Sequence, residues 1–134
     1  MSEDCVFCKI IEGQIPSNKV YEDENVVAFL DANPVSKGHT LVVPKAHVQT
    51  VFDAESMEYM WPAIVKVANA IREAFDVEDM NINQNNGSLA GQEVDHLHFH
   101  LTPRYDGSEI DISYNRSEPE NADEVAEQIR SKTA

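Results

Sequence analysis

Cysteine is scarce in this 134-residue chain: Cys5 and Cys8 are the only two. Two thiols three positions apart cannot staple a fold of this size, and a packed domain of this length has no need of staples. Spaced C-x-x-C, they point to a metal ligand pair or a redox pair. Basic side chains are also few, 10 Lys and Arg against 24 Asp and Glu, for a formal net charge of −14. A surface this negative repels nucleic-acid backbones and anionic membranes, so polyanion binding is excluded as a general function. A nucleotide is not excluded, because a local pocket can oppose the global field. The same acidity fits a protein kept hydrated in high salt.

Long apolar runs are missing too. The longest, Val26 to Leu30, falls far short of the ~20 residues a membrane helix needs. The opening residues Met1-Ser2-Glu3-Asp4 lack the basic-then-apolar order of a secretory leader. These observations predict a cytoplasmic protein with no membrane partner. No repeat and no low-complexity tract is present. The apolar content of 42% is that of a packed domain rather than a disordered one.

Coarse patterning supplies the elements. Residues 5–13 read as a short helix or turn ending at Gly13, and Val20–Glu22 as a short strand. Val26–Leu30 and Thr40–Pro44 read as buried strands from their β-branched and aromatic content. Met60, Ile64, Val67, Ile71 and Phe75 repeat at helical spacing, which predicts a helix from an Asp53 N-cap to about Phe75. Pro62 lies inside it and demands a kink or a late start. Met80–Asn83 and His96–Pro103 alternate as strands, residues 104–118 are irregular, and 119–131 form an acidic helix with Val125 and Ile129 as a thin apolar face. The sum is an α+β domain built on an antiparallel sheet.

The strongest signal is His96-Leu97-His98-Phe99-His100-Leu101. On a strand, alternate residues share a face, so the three imidazoles point one way and the apolar residues the other. Three imidazoles in a row can hold a catalytic metal, or one can attack phosphorus while its neighbours hold the phosphate. The preceding loop, with Asn85, Asn86, Gly87, Ser88, Gly91 and Gln92, offers amide and backbone N–H donors. Those suit an anion and are poor ligands for a soft metal.

The segment Gly91-Gln92 followed by His-Leu-His-Phe-His-Leu-Thr resembles the signature of the histidine triad (HIT) family. Cys5 to Ser17, Tyr21-Glu22-Asp23, Ala28 to Asp31, Gly38 to His47 and Asn83 to Gly87 are similar to further family segments, in family order. The likeness runs from residue 5 to about 104 and is closest to the bacterial and archaeal members related to the Hint branch. It implies a five-stranded antiparallel sheet with one long helix and a short N-terminal helix, and two subunits joined as a homodimer. The family domain is expected over residues 1–110, and the acidic C-terminal helical extension over 111–134 is the part that the resemblance does not explain. The resemblance implies hydrolysis or transfer at the α-phosphorus of nucleoside phosphoramidates or dinucleoside polyphosphates, through a nucleotidyl-histidine intermediate.

Residue by residue, the resemblance makes His98 the nucleophile and His100 a phosphate donor. Asn85 and Gln92 would bind phosphate oxygens, and Asp31 the ribose hydroxyls. On spacing alone Asp31 is a turn residue before Asn33-Pro34. Phe7, Ile10, Ile15 and Phe29 would line a pocket for a purine base; on spacing alone they are ordinary core. Cys5, Cys8, His47 and His96 supply four ligands for a structural zinc like that of several family members, with buried thiols and a solvated His47 as the plain alternative. His39 reads as structural. Glu93, where the Hint branch often has a hydroxyl residue, leaves protonation of the leaving group unassigned. Two other functions compete: a nucleotide-binding regulator with weak catalysis, and a metal-dependent hydrolase with the triad as ligands.

Overall fold

The computed structural model describes residues 4–107 and 116–133. The expected boundary between residues 110 and 111 lies outside the described residues.

Helix α1, Val6–Ile11, is capped by the Cys5 thiol, whose Sγ accepts from Cys8 N–H, and its buried face is Phe7, Cys8 and Ile10. The strands are β1, Lys19–Glu22; β2, Val26–Leu30; β3, Thr40–Pro44; β4, Asp79–Asn83; and β5, Phe99–Arg104. They form one antiparallel sheet in the order β1-β2-β3-β5-β4. Asp23 makes the first turn: its Oδ1 accepts from the N–H groups of Asn25 and Val26. That Asx turn leaves β2 to start at its first apolar residue.

Helix α2, Met60–Phe75, carries the chain from β3 to the far edge of the sheet. It starts later than the Asp53 cap predicts. Residues Val51–Asp53 instead form a separate 3-10 turn capped by Thr50, and Pro62 falls within the first turn of α2. A proline there costs no helical hydrogen bond, so no kink is needed. Met60, Ile64, Val67 and Ile71 are buried as the stripe requires, but Phe75 is partly exposed and packs beside Gly38.

Both sheet faces are covered, which explains why β2 and β3 do not alternate with polar residues. Val26, Ala28, Val42 and Leu101 pack under α2. Val27, Phe29, Leu41 and Val43 pack under α1, together with Cys5 and Cys8. Truncating a fully buried residue such as Ile64 would cost roughly 2–5 kcal/mol. The last helix, α3, spans Ala122–Thr133, and its Val125 and Ile129 are exposed.

Candidate active site and thiol–histidine cluster

β5 begins at Phe99, not at His96 as the alternation predicts. The Leu97 N–H donates to Val48 O at 2.6 Å, beyond the end of β3, so His96 to His98 lie outside the regular ladder. The three imidazoles are still brought together. Phe7 packs edge-on against His96 and His98 at 5.9 and 5.1 Å between ring centres, and His98 lies 5.0 Å from His100.

Hydrogen bonding fixes where the protons sit. His98 Nδ1 is 2.7 Å from the His96 carbonyl oxygen. A carbonyl only accepts, so Nδ1 carries a proton and the lone pair of the neutral ring falls on Nε2. His96 Nε2 in turn donates to Pro44 O at 2.8 Å, which turns its Nδ1 lone pair toward Cys5 Sγ at 3.4 Å and Cys8 Sγ at 3.6 Å. Burial holds the His96 pKa below its usual value, against the Pro44 bond and with the help of nearby His47 and His98. His100 is pushed down to about 4, first by burial and then by the neighbouring imidazoles of His98 and His39, with Asp31 opposing.

Cys8 Sγ also lies 3.2 Å from His47 Nδ1, and the ligand atoms of Cys5, Cys8, His47 and His96 all fall within 4.8 Å of one another. A tetrahedral zinc with two sulfur and two nitrogen ligands has edges of about 3.4–3.8 Å, so this donor set fits the ion. The cluster ties the cap of α1 to the segment after β3 and to the triad. The three histidines do not form a metal site of their own. Among the described residues His96 groups with the thiols, His100 with Asp31 and His39, and His98 with neither. That geometry speaks against the triad as a set of catalytic metal ligands.

The loop before the triad corrects one expectation. The Gln92 amide is already engaged: its Oε1 accepts from Gly87 N–H at 2.8 Å, and its Nε2 donates to Gln49 O and Val94 O at 2.8 and 3.0 Å. With both amide hydrogens committed, its side chain braces the loop and has no donor left for phosphate. Asn86 shares this work, accepting from Val51 N–H and pairing with Gln84. Asn85 differs. Its half-buried amide lies against Gly91 and has no hydrogen-bond partner among the described residues. Gly91 stands at φ +94°, where a side chain would be strained.

Asp31 follows β2 directly. Its Oδ1 accepts from Asn33 N–H at 2.8 Å, the turn role that spacing suggests, while Oδ2 lies 3.6 Å from His39 Nε2. Phe7, Ile10 and Phe29 are buried in the cluster under α1, with Ile15 partly buried against it. Glu93 is exposed and lines a cleft with Asp4, His47, Gln49 and Asp95, a cleft that no histidine of the triad borders. The residue the sequence undervalued is His39, whose Nε2 lies 3.0 Å from His100 Nδ1. The strand register explains it: Leu41 pairs with His100, and His39, just ahead of β3 and two residues before Leu41, falls beside that ring, a pairing that spacing alone does not reveal.

These features define an α+β protein that sets a row of histidines at the end of an antiparallel sheet, beside a separate thiol–histidine cluster. The chain belongs to the HIT family: the family's HIT domain matches residues 12–107. "Protein hit" of Bacillus subtilis is 52% identical over 106 residues, 78% of this chain and 73% of that protein. An adenosine 5'-monophosphoramidase of Saccharomyces cerevisiae is 43% identical over 102 residues, covering 76% of this chain and 63% of the yeast protein. A crystal structure of a HIT family member from Bacillus subtilis superposes with a TM-score of 0.91 at 42% identity, covering 98% of this chain and 99% of that one. The solved relative thus extends over the C-terminal helix as well. Among the described residues no helix is long and apolar enough to cross a membrane.

Proposed function

We propose that the protein is a nucleotide hydrolase or transferase that acts at the α-phosphorus of nucleoside phosphoramidates or dinucleoside polyphosphates, with His98 as nucleophile. One observation carries the reading: the Nδ1–H of His98 is anchored on the His96 carbonyl, so the lone pair of the neutral ring falls on Nε2. Such a nitrogen is a competent nucleophile at neutral pH. Attack forms a nucleotidyl-histidine and expels the leaving group; water then releases the nucleotide and restores the imidazole. His100 donates a hydrogen bond to the phosphate, Asn85 supplies a further donor, and Asp31 takes the ribose hydroxyls through its outer oxygen. Phe7, Ile10, Ile15 and Phe29 form the wall against which a purine rests. The yeast relative's activity supports this substrate class.

The test is mass spectrometry on protein incubated with adenosine 5'-phosphoramidate. Wild type should show a nucleotidyl adduct on His98 and turn over substrate. His98→Ala should fold, bind and do neither. An active His98→Ala variant would refute the assignment.

Cys5, Cys8, His47 and His96 are proposed to hold a structural zinc, which supplies a cross-link and no chemistry of its own. We also assign the active form to a homodimer, on the exposed Ile82 of the edge strand β4.

A further inference from the structure

His39 is one of the few buried polar residues of the domain, at 4% exposure, and it touches none of the thiols. Both of its ring nitrogens are engaged. The Val35 N–H lies 3.1 Å from Nδ1. A backbone N–H can only donate, so Nδ1 accepts and is bare. Burial lowers the His39 pKa, with Asp31 opposing and Arg104 assisting, so the ring is neutral and its one proton must sit on Nε2. That Nε2 faces His100 Nδ1 at 3.0 Å. His100 Nδ1 must then be the acceptor. Being neutral as well, His100 has a single proton, and it is forced onto Nε2, across the ring.

The backbone end of this chain is pinned. Ser36 Oγ donates to Pro103 O at 2.6 Å, Tyr105 Oη to Lys37 O at 2.6 Å, and His39 N–H to Ser36 O at 3.1 Å. The loop that carries Val35 is therefore fastened to the end of β5, the same strand that carries His100. Asp31 Oδ2 is the rival acceptor for the His39 proton, but at 3.6 Å it is outside hydrogen-bond range. The opposite tautomer of His100 would set two N–H groups against each other at 3.0 Å.

We propose that His39 is a positioning residue: it passes the direction of the Val35 N–H through its own ring and locks His100 in the tautomer whose Nε2–H is available to the substrate phosphate or the departing atom. This rests on His100 meeting phosphate, as proposed above. Without the lock, His100 divides between two tautomers, and only one of them presents a donor at Nε2.

Long-range 1H–15N correlation on the full 15N-labelled chain at pH 7.5 reads each tautomer directly. Wild-type His100 should show a bare Nδ1 and a protonated Nε2. In His39→Phe the His100 signals should shift toward a mixture, and with adenosine 5'-phosphoramidate kcat should fall about tenfold or more while KM changes little. His39→Gln places an amide N–H near the lost Nε2–H and should restore the tautomer and most of kcat. His39→Asn, whose amide reaches only the Nδ1 position, should restore neither. A wild-type His100 protonated at Nδ1 would overturn the proposal, as would a His39→Phe variant with unchanged tautomer and kcat. If His39→Phe does not fold, the wild-type tautomer and the Gln–Asn contrast decide. An inactive protein with the expected tautomer would instead refute the nucleotidyl-transfer reading while leaving the His39–His100 lock in place.

Discussion

Single side chains here do their work through proton placement. His96, His98, His39 and His100 each have a ring nitrogen committed to a backbone group or to another ring, and the partners dictate the tautomers. None of this is visible in a pattern of alternating letters, which gives the residue type and the face but not the partner. The same limit explains Gln92: its place in the motif suggested a phosphate donor, while three backbone partners claim its amide. A consequence in pH follows from His100. Its folded pKa of about 4 lies below the ordinary histidine value of 6.5. Between those values the unfolded chain takes up a proton that the folded chain refuses, so stability falls as pH drops through this window. Denaturant midpoints measured at pH 7.5 and 5.0 should differ less for His100→Gln than for wild type. An equal difference in the two proteins would remove His100 as a source of acid sensitivity.

At the scale of elements, the sequence was most legible where burial is one-sided or complete. The β2 and β3 spans were read from their β-branched runs, and the α2 stripe from its spacing. Boundaries failed where hydrogen bonding overrides pattern. α2 starts at Met60 because Thr50 to Asp53 close a turn of their own, and β5 starts at Phe99 because Leu97 bonds to Val48 instead of joining the ladder. The short α1 has little to hold it except its buried face and the thiol cluster. Zinc analysis of purified protein should find about one ion per chain. Its removal with chelator should lower the melting temperature and expose the Cys5 and Cys8 thiols to alkylation. Full protein with neither zinc nor loss of stability would reduce the cluster to two buried thiols. The edge strand β4 carries the dimer proposal: Ile82→Arg should shift sedimentation from dimer to monomer, and a variant that sediments as wild type would move the interface elsewhere.

For the molecule as a whole, charge is the dominant property. The 24 acidic residues are spread along the chain, from Glu22 in β1 through Glu73 in α2 and Asp79 in β4 to Asp123, Glu124 and Glu127 in α3, while the triad segment from His96 to His100 includes no lysine. Phosphate in the proposed site would therefore be met by imidazoles, an amide and backbone groups. The excess of −14 charges acts between surfaces, where salt screens it. Raising salt from low ionic strength to about 1 M should raise the melting temperature, because self-repulsion in the compact state weakens. A fall in melting temperature over that range would mean that attractive pairs such as Lys45–Glu22, at 2.8 Å, outweigh the repulsion. The overall charge and the fold class were readable from the sequence, as was the triad. The division of the triad, with His96 set beside the thiols and His98 and His100 apart from them, was legible only through the family resemblance and not from spacing, because it depends on which distant groups each ring reaches.

The sheet covered on both faces has a bearing on how this chain can change over time. Most positions from Val26 to Phe29 and from Thr40 to Pro44 face one layer or the other, and none of them faces water. No silent side remains in these strands on which mutations can accumulate. Tolerance is displaced to the rim, to the exposed face of α2 and to α3. A lineage descended from this protein is thus free to revise its surface, its charge and its partners, while the two central strands and the proton pattern they support stay nearly fixed.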